Sequence, residues 1–244
     1  GDLVQNGDFS EIGAEEVSNG SFSQEGSDII INGDFALNSN WSGTNTIANG
    51  QLTKGSGGGL VYQETLDGTI KSYKVTIDVA EKNGVSLNLY LGGNQFSLNE
   101  GVQTLYVQSG NSNTFIGFNN GADSIINSIS CVEVGQDWTL GTGWSIGEDK
   151  ASKVSGVSSY LLQPMVLPTP NTYKVTFTVI DYVSGDVKWG FSSTASSPFG
   201  TPRTANGTYT EYFTHDINTI ALRFRAGSTF EGSITNISVK EVGQ

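Results

Sequence analysis

Apolar and polar residues alternate along many short stretches of this chain. Tyr73, Val75, Ile77 and Val79 are separated by single polar residues, and residues 173–179 repeat the pattern. A period of two is typical of a β-strand with one buried face. Glycine and asparagine separate these stretches, and no stretch shows a convincing helical period. The pattern therefore predicts antiparallel sheets.

The chain contains an internal duplication. Ser72–Val79 matches Thr172–Val179, and Ile129–Gln136 matches Ile237–Gln244, in the same order. Trp41 also aligns with Trp138. Self-similarity of this kind is the signature of repeated structural units. About 100 residues per copy suffice for a jelly-roll sandwich.

The predicted fold is all-β and consists of two tandem antiparallel β-sandwich (jelly-roll) domains. They are placed at residues 29–135 and 136–244, after a short N-terminal strand-turn arm at residues 1–28. The units Asn6–Phe9, Asn19–Phe22 and Asn32–Phe35 recur at a spacing of 13 residues.

Asn-Gly supports a tight turn, and the following phenylalanine can anchor that turn on a core. The third unit opens the first domain, whereas the second domain has no such unit of its own. Part of the arm is therefore expected to pack as a strand on a domain or on a neighbouring subunit. The alternative is an unpacked relic of the duplication.

Composition and charge narrow the range of functions. The formal net charge is −12, which disfavours nucleic acid and anionic membranes as partners. No apolar run has the length of a membrane span. Cys131 is the only cysteine and is expected in the core, and His215 is the only histidine, so neither an enzyme nor a His-rich metal site is expected.

Candidate ligand-binding residues are aromatic or basic side chains at outward or loop positions, since sugars stack on rings and bond to polar groups. Tyr90 lies between inward residues of one strand, and the basic candidates flank inward aromatic residues. Trp144 lies in a glycine-rich stretch, where an exposed turn is predicted, and Phe199 lies in a long loop. The full set is Tyr90, Trp144, Lys188, Phe199, Arg223 and Arg225. Surface salt bridges are the alternative role for the basic members.

Two segments carry a resemblance to known proteins. Ile30–Phe35, followed by Trp41, resembles the opening of carbohydrate-binding modules with a galactose-binding-like jelly-roll fold, and Ile237–Val242 resembles their last strand. The repeated Asn-Gly-Asp-Phe units and Asp137–Ile146 look like modules in structural and tail-appendage proteins of marine bacteriophages. The resemblance implies a non-catalytic virion or extracellular protein that contacts host-surface glycans, itself or other virion proteins. The alternatives are a pure scaffold without a glycan ligand, a secreted bacterial adhesin and an ancillary carbohydrate-binding module.

The same resemblance implies a structural calcium, since many such modules hold one near the first and last strands. The corresponding residues in the first domain are Asp34 and Asn127, whose oxygen atoms suit calcium. Thr235 takes the equivalent place in the second domain and is a poor ligand. No other cofactor is expected.

Overall fold

The computed structural model describes residues 12–168, 170–193, 199–215 and 219–243, and within them it contains twenty strands and no helix. The predicted all-β, antiparallel sandwich fold is therefore confirmed. The first Asn-Gly-Asp-Phe unit, at residues 6–9, lies outside the described residues. The described part of the chain has no helix of the length and hydropathy needed to cross a membrane.

The structure divides into two compact units. Module one is residues 25–134. Module two combines residues 12–24 with residues 135–243.

Module one is a sandwich of two antiparallel sheets. Its strands are β2 (Glu25–Asp28), β3 (Asn45–Ala48), β4 (Gln51–Lys54), β5 (Val61–Glu64), β6 (Ser72–Glu81), β7 (Leu87–Leu91), β8 (Asn94–Ser97), β9 (Gly101–Gln108), β10 (Phe115–Asn120) and β11 (Ile125–Val134). The larger sheet has the order β3-β4-β11-β6-β9, with β2 also paired to β11, and the smaller sheet has the order β5-β10-β7-β8. The core lies between these two sheets.

Alternation along the strands builds this core. Val75, Ile77 and Val79 of β6 are almost completely buried, whereas the polar residues between them are partly exposed. Leu89 of β7 and Phe118 of β10 are fully buried in the same cluster. Burial of these aliphatic and aromatic side chains is the main driving force for folding.

Module two repeats this arrangement. Its strands are β1 (Ile12–Glu15), β12 (Thr139–Leu140), β13 (Trp144–Gly147), β14 (Lys150–Lys153), β15 (Ser159–Pro164), β16 (Asn171–Ser184), β17 (Val187–Ser193), β18 (Gly207–His215), β19 (Thr219–Ala226) and β20 (Glu231–Val242). The larger sheet has the order β13-β14-β20-β16-β18, with β1 also paired to β20, and the smaller sheet has the order β12-β15-β19-β17. Tyr173, Val175 and Phe177 of β16 are buried at the places of Tyr73, Val75 and Ile77.

The structure changes the predicted domain boundaries. Residues 12–24 are part of module two and not of a separate arm at residues 1–28, and residues 25–28 belong to module one. Module two is therefore discontinuous, and module one is inserted between its two segments. The physical reason is that the body of module two lacks its own opening strand, and residues 12–24 supply one.

The contacts of this segment are specific. The indole N–H of Trp138 donates to the carbonyl of Asn19 at 3.1 Å, and the ring of Phe22 lies 5.2 Å from the indole. Gln163 bonds through its side-chain amide to both the N–H (3.0 Å) and the C=O (2.7 Å) of Ser18. A Cβ atom on Gly20 would lie 2.0 Å from the carbonyl oxygen of Ile237, so this approach requires glycine.

Module one makes the same contacts with its own opening residues. The indole N–H of Trp41 donates to the carbonyl of Asn32 at 3.3 Å, and Gln63 bonds to the backbone of Ile31. A Cβ atom on Gly33 would lie 2.1 Å from the carbonyl oxygen of Ile129. We call residues 28–35 and 15–22 the opening segments of modules one and two, and the surface that each one fills its opening slot.

A buried lysine is also duplicated. Lys54 is 1% exposed and donates to the carbonyls of Gly59 and Phe118, at 2.5 and 3.1 Å. Burial lowers the pKa of Lys54 from 10.5 to about 8. Lys153 is 2% exposed, donates to the carbonyl of Val154, and has its pKa lowered by the same cause.

Candidate functional site

The basic residues singled out in module two lie on one face of its smaller sheet. Arg223 and Arg225 alternate along β19 with the fully buried Leu222 and Phe224, so both arginines point outward. Arg225 pairs across the sheet with Lys188 of β17. The outward positions predicted by alternation therefore converge in space.

Phe199 completes this surface. It forms a bridge to Gly190 of β17, a buried residue that carries no side chain. The guanidinium of Arg223 lies 4.2 Å from the centre of the Phe199 ring, and the ammonium of Lys188 lies 4.8 Å from it. Both distances are within the range of cation–π attraction.

A second ring lies on the other side of Arg223. Tyr160 of β15 pairs with Arg225 in register, and its ring centre is 5.4 Å from the Arg223 guanidinium. Arg223 is thus placed between two aromatic rings. We call the five residues Tyr160, Lys188, Phe199, Arg223 and Arg225 the cationic face.

The charges of this face are concentrated within a strongly acidic chain. Burial lowers the pKa of Arg223, the Tyr160 hydroxyl acts in the opposite direction, and the charge of Arg225 lowers it further. Lys188 and Arg225 form no ion pair within the described ranges. A cluster of three cations around aromatic rings is suited to an anionic ligand with an apolar side.

Module one presents a face of different chemistry at the equivalent place. In its smaller sheet Tyr62, Gly117, Tyr90 and Gln95 form one cross-strand row. A Cβ atom on Gly117 would lie 1.9 Å from the carbonyl oxygen of Val61, so only glycine fits there. The row therefore carries two tyrosines with no side chain between them.

Amide groups surround this pair of rings. The hydroxyl of Tyr90 accepts a bond from Asn113 at 2.6 Å, and Tyr90 is half-buried. Asn88 and Asn119 both donate to the side-chain oxygen of Gln95, each at 3.2 Å. We call Tyr62, Tyr90, Gln95, Asn88 and Asn119 the neutral face.

The two faces occupy equivalent strands but differ in charge. Gly117 and Arg223 take the same place, since Ile116 pairs with Gln63 as Leu222 pairs with Gln163. Gln95 pairs with Tyr90 of β7, and Phe199 bridges to Gly190 of β17, which is the corresponding strand of module two. The same sheet thus presents amides and tyrosines in one module and cations and aromatic rings in the other.

The prediction for Trp144 is wrong. Its side chain is 2% exposed, and its ring centre lies 6.5 Å from that of Phe230. The glycines on either side indicated a turn, but Trp144 begins β13 and alternates with the buried Ile146. Trp144 is therefore a core residue and not a ligand contact.

The two residues of the calcium prediction bond to protein groups. Asp34 accepts the backbone N–H of Ala36 at 3.2 Å. The side chain of Asn127 donates to Asp78 at 3.0 Å and accepts from Gln51 at 2.8 Å. These bonds account for both polar atoms of the Asn127 amide.

Groups of three or more His, Cys, Asp or Glu side chains that could hold a metal ion are absent from the described residues. The calcium site therefore stays a prediction from the resemblance.

Cys131 is fully buried, as expected, and burial raises the pKa of its thiol, with the charge of Asp28 acting in the same direction. The thiol form is therefore favoured well above neutral pH. A thiol in that state is a poor nucleophile.

Several residues of the two faces were not identified from the sequence. Alternation alone indicates outward positions for Tyr62 and Tyr160. Tyr62 is next to the inward Val61, and Tyr160 is next to the inward Leu161. No sequence pattern indicates Gln95, because its place beside Tyr90 depends on the register of the β7–β8 hairpin.

No protein-family model matches the chain, and no curated protein matches it. Solved structures that resemble it include the tandem CBM22 domains of Xyn10C from Paenibacillus barcinonensis. That likeness has a TM-score of 0.32 and 9% identity, over 90% of this chain and 99% of the other.

Two other solved structures have similar values. Allantoicase from Saccharomyces cerevisiae has a TM-score of 0.35 and 10% identity, over 78% of this chain and 76% of the other. The major capsid protein P2 of bacteriophage PM2 has a TM-score of 0.22 and 10% identity, over 84% and 98%. All three TM-scores are below 0.5, and the fold assignment rests on the sheet topology of the structure.

Proposed function

We propose that this protein is a non-catalytic structural protein that binds glycans through the outward faces of its two smaller sheets. The observation that supports this most strongly is the convergence of Lys188, Arg223 and Arg225 on the rings of Tyr160 and Phe199. Aromatic rings together with polar groups in reach are what a sugar requires.

The cationic face is suited to an acidic sugar. A carboxylate or sulfate accepts paired bonds from a guanidinium, and the C–H side of the sugar ring packs on an aromatic side chain. The module two ligand is therefore a glycan that carries uronate, sialic acid or sulfate groups.

The neutral face is suited to an uncharged sugar. Gly117 places no side chain between Tyr62 and Tyr90, and Gln95 and Asn119 offer amide groups nearby. Each face is a sheet surface with mostly half-buried side chains. We expect weak binding at a single site, which strengthens when many copies are displayed together.

The setting of this activity follows from the sequence resemblance. Modules of this kind in phage structural proteins imply a virion or extracellular location, with host-surface glycans as ligands. A scaffold function is the second candidate, in which the same faces bind neighbouring subunits of an assembly.

A glycan array with neutral and acidic members tests the proposal. Wild-type protein is expected to bind both classes, Tyr90→Ala to lose the neutral ligands, and Arg223→Ala to lose the acidic ones. Lys240→Ala is the matched control, since it removes one positive charge from the larger sheet of module two.

Three results would count against glycan binding. They are an array without hits, equal losses in the Lys240 and Arg223 variants, and concentration-dependent oligomers that bury both faces. The last result would favour the scaffold.

A further inference from the structure

The two opening slots show which residues an opening segment needs. In module two the carboxylate of Glu15 accepts the backbone N–H of Val17 (3.1 Å) and of Val239 (2.7 Å). In module one the carboxylate of Asp28 accepts the N–H of Ile30 (2.9 Å) and of Cys131 (3.0 Å). An acidic residue four positions before the asparagine thus ties each segment to the last strand of its module.

The remaining requirements are also shared. Val17 is 7% exposed and Ile30 is 9% exposed, two positions before the asparagine. Phe22 and Phe35 follow three positions after the asparagine and are 2% and 1% exposed.

The glycine after each asparagine fits under a carbonyl of the last strand. Asn19 and Asn32 have positive φ angles of 47° and 54°, a conformation that asparagine tolerates. The shared pattern is therefore an acidic residue, any residue, Val or Ile, any residue, Asn-Gly, any residue and Phe.

A third copy of this pattern precedes the other two. Asp2, Val4, Asn6, Gly7 and Phe9 match it at every required position. The position directly before the asparagine differs among the copies, and the slot contacts it through the backbone.

Ser18 and Ile31 illustrate such a position. Both bond to glutamine through the backbone alone, and Ile31 is 57% exposed. Gln5, at the same place in the third copy, is therefore compatible with the slot.

The chain thus has three opening segments for two slots. Residues 15–22 and 28–35 fill the slots of modules two and one. We propose that residues 2–9 are a third donor segment, able to complete module two of a second copy of this chain in place of that copy's residues 15–22. The partner would gain a buried phenylalanine and main-chain bonds equivalent to those that Glu16 and Gly20 make with Val239 and Ile237. Main-chain pairing of this kind is a known mode of peptide recognition.

Residues 15–22 have an advantage over a segment from another copy, because they are tethered close to the slot of their own chain. A tethered segment acts at an effective concentration of roughly millimolar, so exchange between copies requires high local concentration or a weakened residue 15–22 segment. Chains held together on one particle or surface meet the first condition.

The first test uses a full-length acceptor that carries Gly7→Ala and Gly20→Ala, so that both of its own donors clash. A fluorescent peptide of residues 1–11 is titrated by anisotropy, with a peptide of residues 12–24 as the positive control. The same 1–11 peptide with Gly7→Ala is the negative control. The proposal expects saturable binding of both natural peptides and at least tenfold weaker binding of the negative control. Binding of the 12–24 peptide alone would overturn it.

The second test does not depend on an acceptor that keeps its fold. Hydrogen exchange of residues 237–242 is compared in Gly20→Ala and in Gly7→Ala/Gly20→Ala across a range of protein concentrations. The proposal expects protection in the single variant that rises with concentration and is absent in the double variant. Equal loss in both variants would overturn the donor function, and protection independent of concentration would assign the donor to the same chain and exclude the second copy.

Discussion

The indole N–H of Trp138 bonds to the carbonyl of Asn19, 119 positions earlier in the chain. The same bond joins Trp41 to Asn32 across nine positions. One interaction is therefore made locally in module one and at long range in module two. This relationship shows that the segment before module one is the missing first strand of module two.

Phe22 tests this assignment. Phe22→Ala is expected to destabilise module two by about 3–5 kcal/mol, the usual cost of truncating a buried phenylalanine. Hydrogen exchange followed by mass spectrometry should show faster exchange in residues 135–243 and unchanged exchange in residues 25–134. Phe35→Ala is the matched control and should give the reverse. Faster exchange of residues 25–134 in the Phe22 variant would contradict the assignment.

Lys54 should make the stability of module one depend on pH. Its pKa is 10.5 when unfolded and about 8 when folded, so the unfolded state binds the proton more tightly. The contribution of neutral Lys54 to the stability of module one is fully present above pH 10.5. It is lost as the pH falls through 8.

Urea unfolding of the wild type and of Lys54→Met gives the difference at each pH. This difference cancels the titration of Cys131 and Tyr73, whose raised pKa values favour the folded state below their unfolded pKa values. Between pH 8 and pH 10.5, the free energy of unfolding of the wild type should rise by about 3 kcal/mol relative to that of the variant. A difference that stays constant with pH would mean that Lys54 is not desolvated.

The cationic face should bind acidic polysaccharide in a salt-dependent way. Arg223→Gln is expected to lose about 1.5–3 kcal/mol of binding free energy, the range for a hydrogen bond to a charged group. Its affinity should also fall less steeply than that of the wild type as sodium chloride rises. Arg223→Lys keeps the charge but not the fork of donors, so it should keep the salt dependence with intermediate affinity. Calorimetric titration in about 50 and about 300 mM salt, on either side of the physiological value, measures both. Identical slopes for the wild type and Arg223→Gln would exclude Arg223 from the ligand contact.

Tyr90 should act through its ring and not through its hydroxyl. Tyr90→Phe removes the partner of Asn113 but keeps the aromatic surface. Its affinity for neutral glycans should stay within roughly threefold of wild type, whereas Tyr90→Ala should lose about tenfold, or 1.4 kcal/mol. Affinity electrophoresis in gels that contain neutral polysaccharide compares the three proteins. Equal losses in the two variants would show that the hydroxyl is the contact.

The sequence predicted the strands well because alternation depends only on neighbouring residues. Val75 and Ile77, or Leu222 and Phe224, are buried as the period of two requires. The same rule placed Arg223 on an outward face. At Trp144 the flanking glycines indicate a turn, but alternation holds there too, since Trp144 and Ile146 are both buried.

Other features depend on contacts that alternation does not determine. The pairing of β1 with β20 joins Ile12 to Val242, and the sequence offered two modules and a neighbouring subunit as hosts for the arm. A signal was present in the carboxylates of Glu15 and Asp28, but their function is evident only from the bonds to the last strands. The neutral face likewise depends on cross-strand register, which places Gly117 between two tyrosines.

A cut between Gln24 and Glu25 tests the completion of module two most directly. A specific protease site inserted there would separate residues 1–24 from the rest of the chain without removing them. The structure predicts that this fragment stays bound during size-exclusion chromatography in native buffer and separates in denaturant, and that Phe22→Ala releases it in native buffer. Release of the natural fragment while residues 135–243 keep their protection from hydrogen exchange would contradict the account.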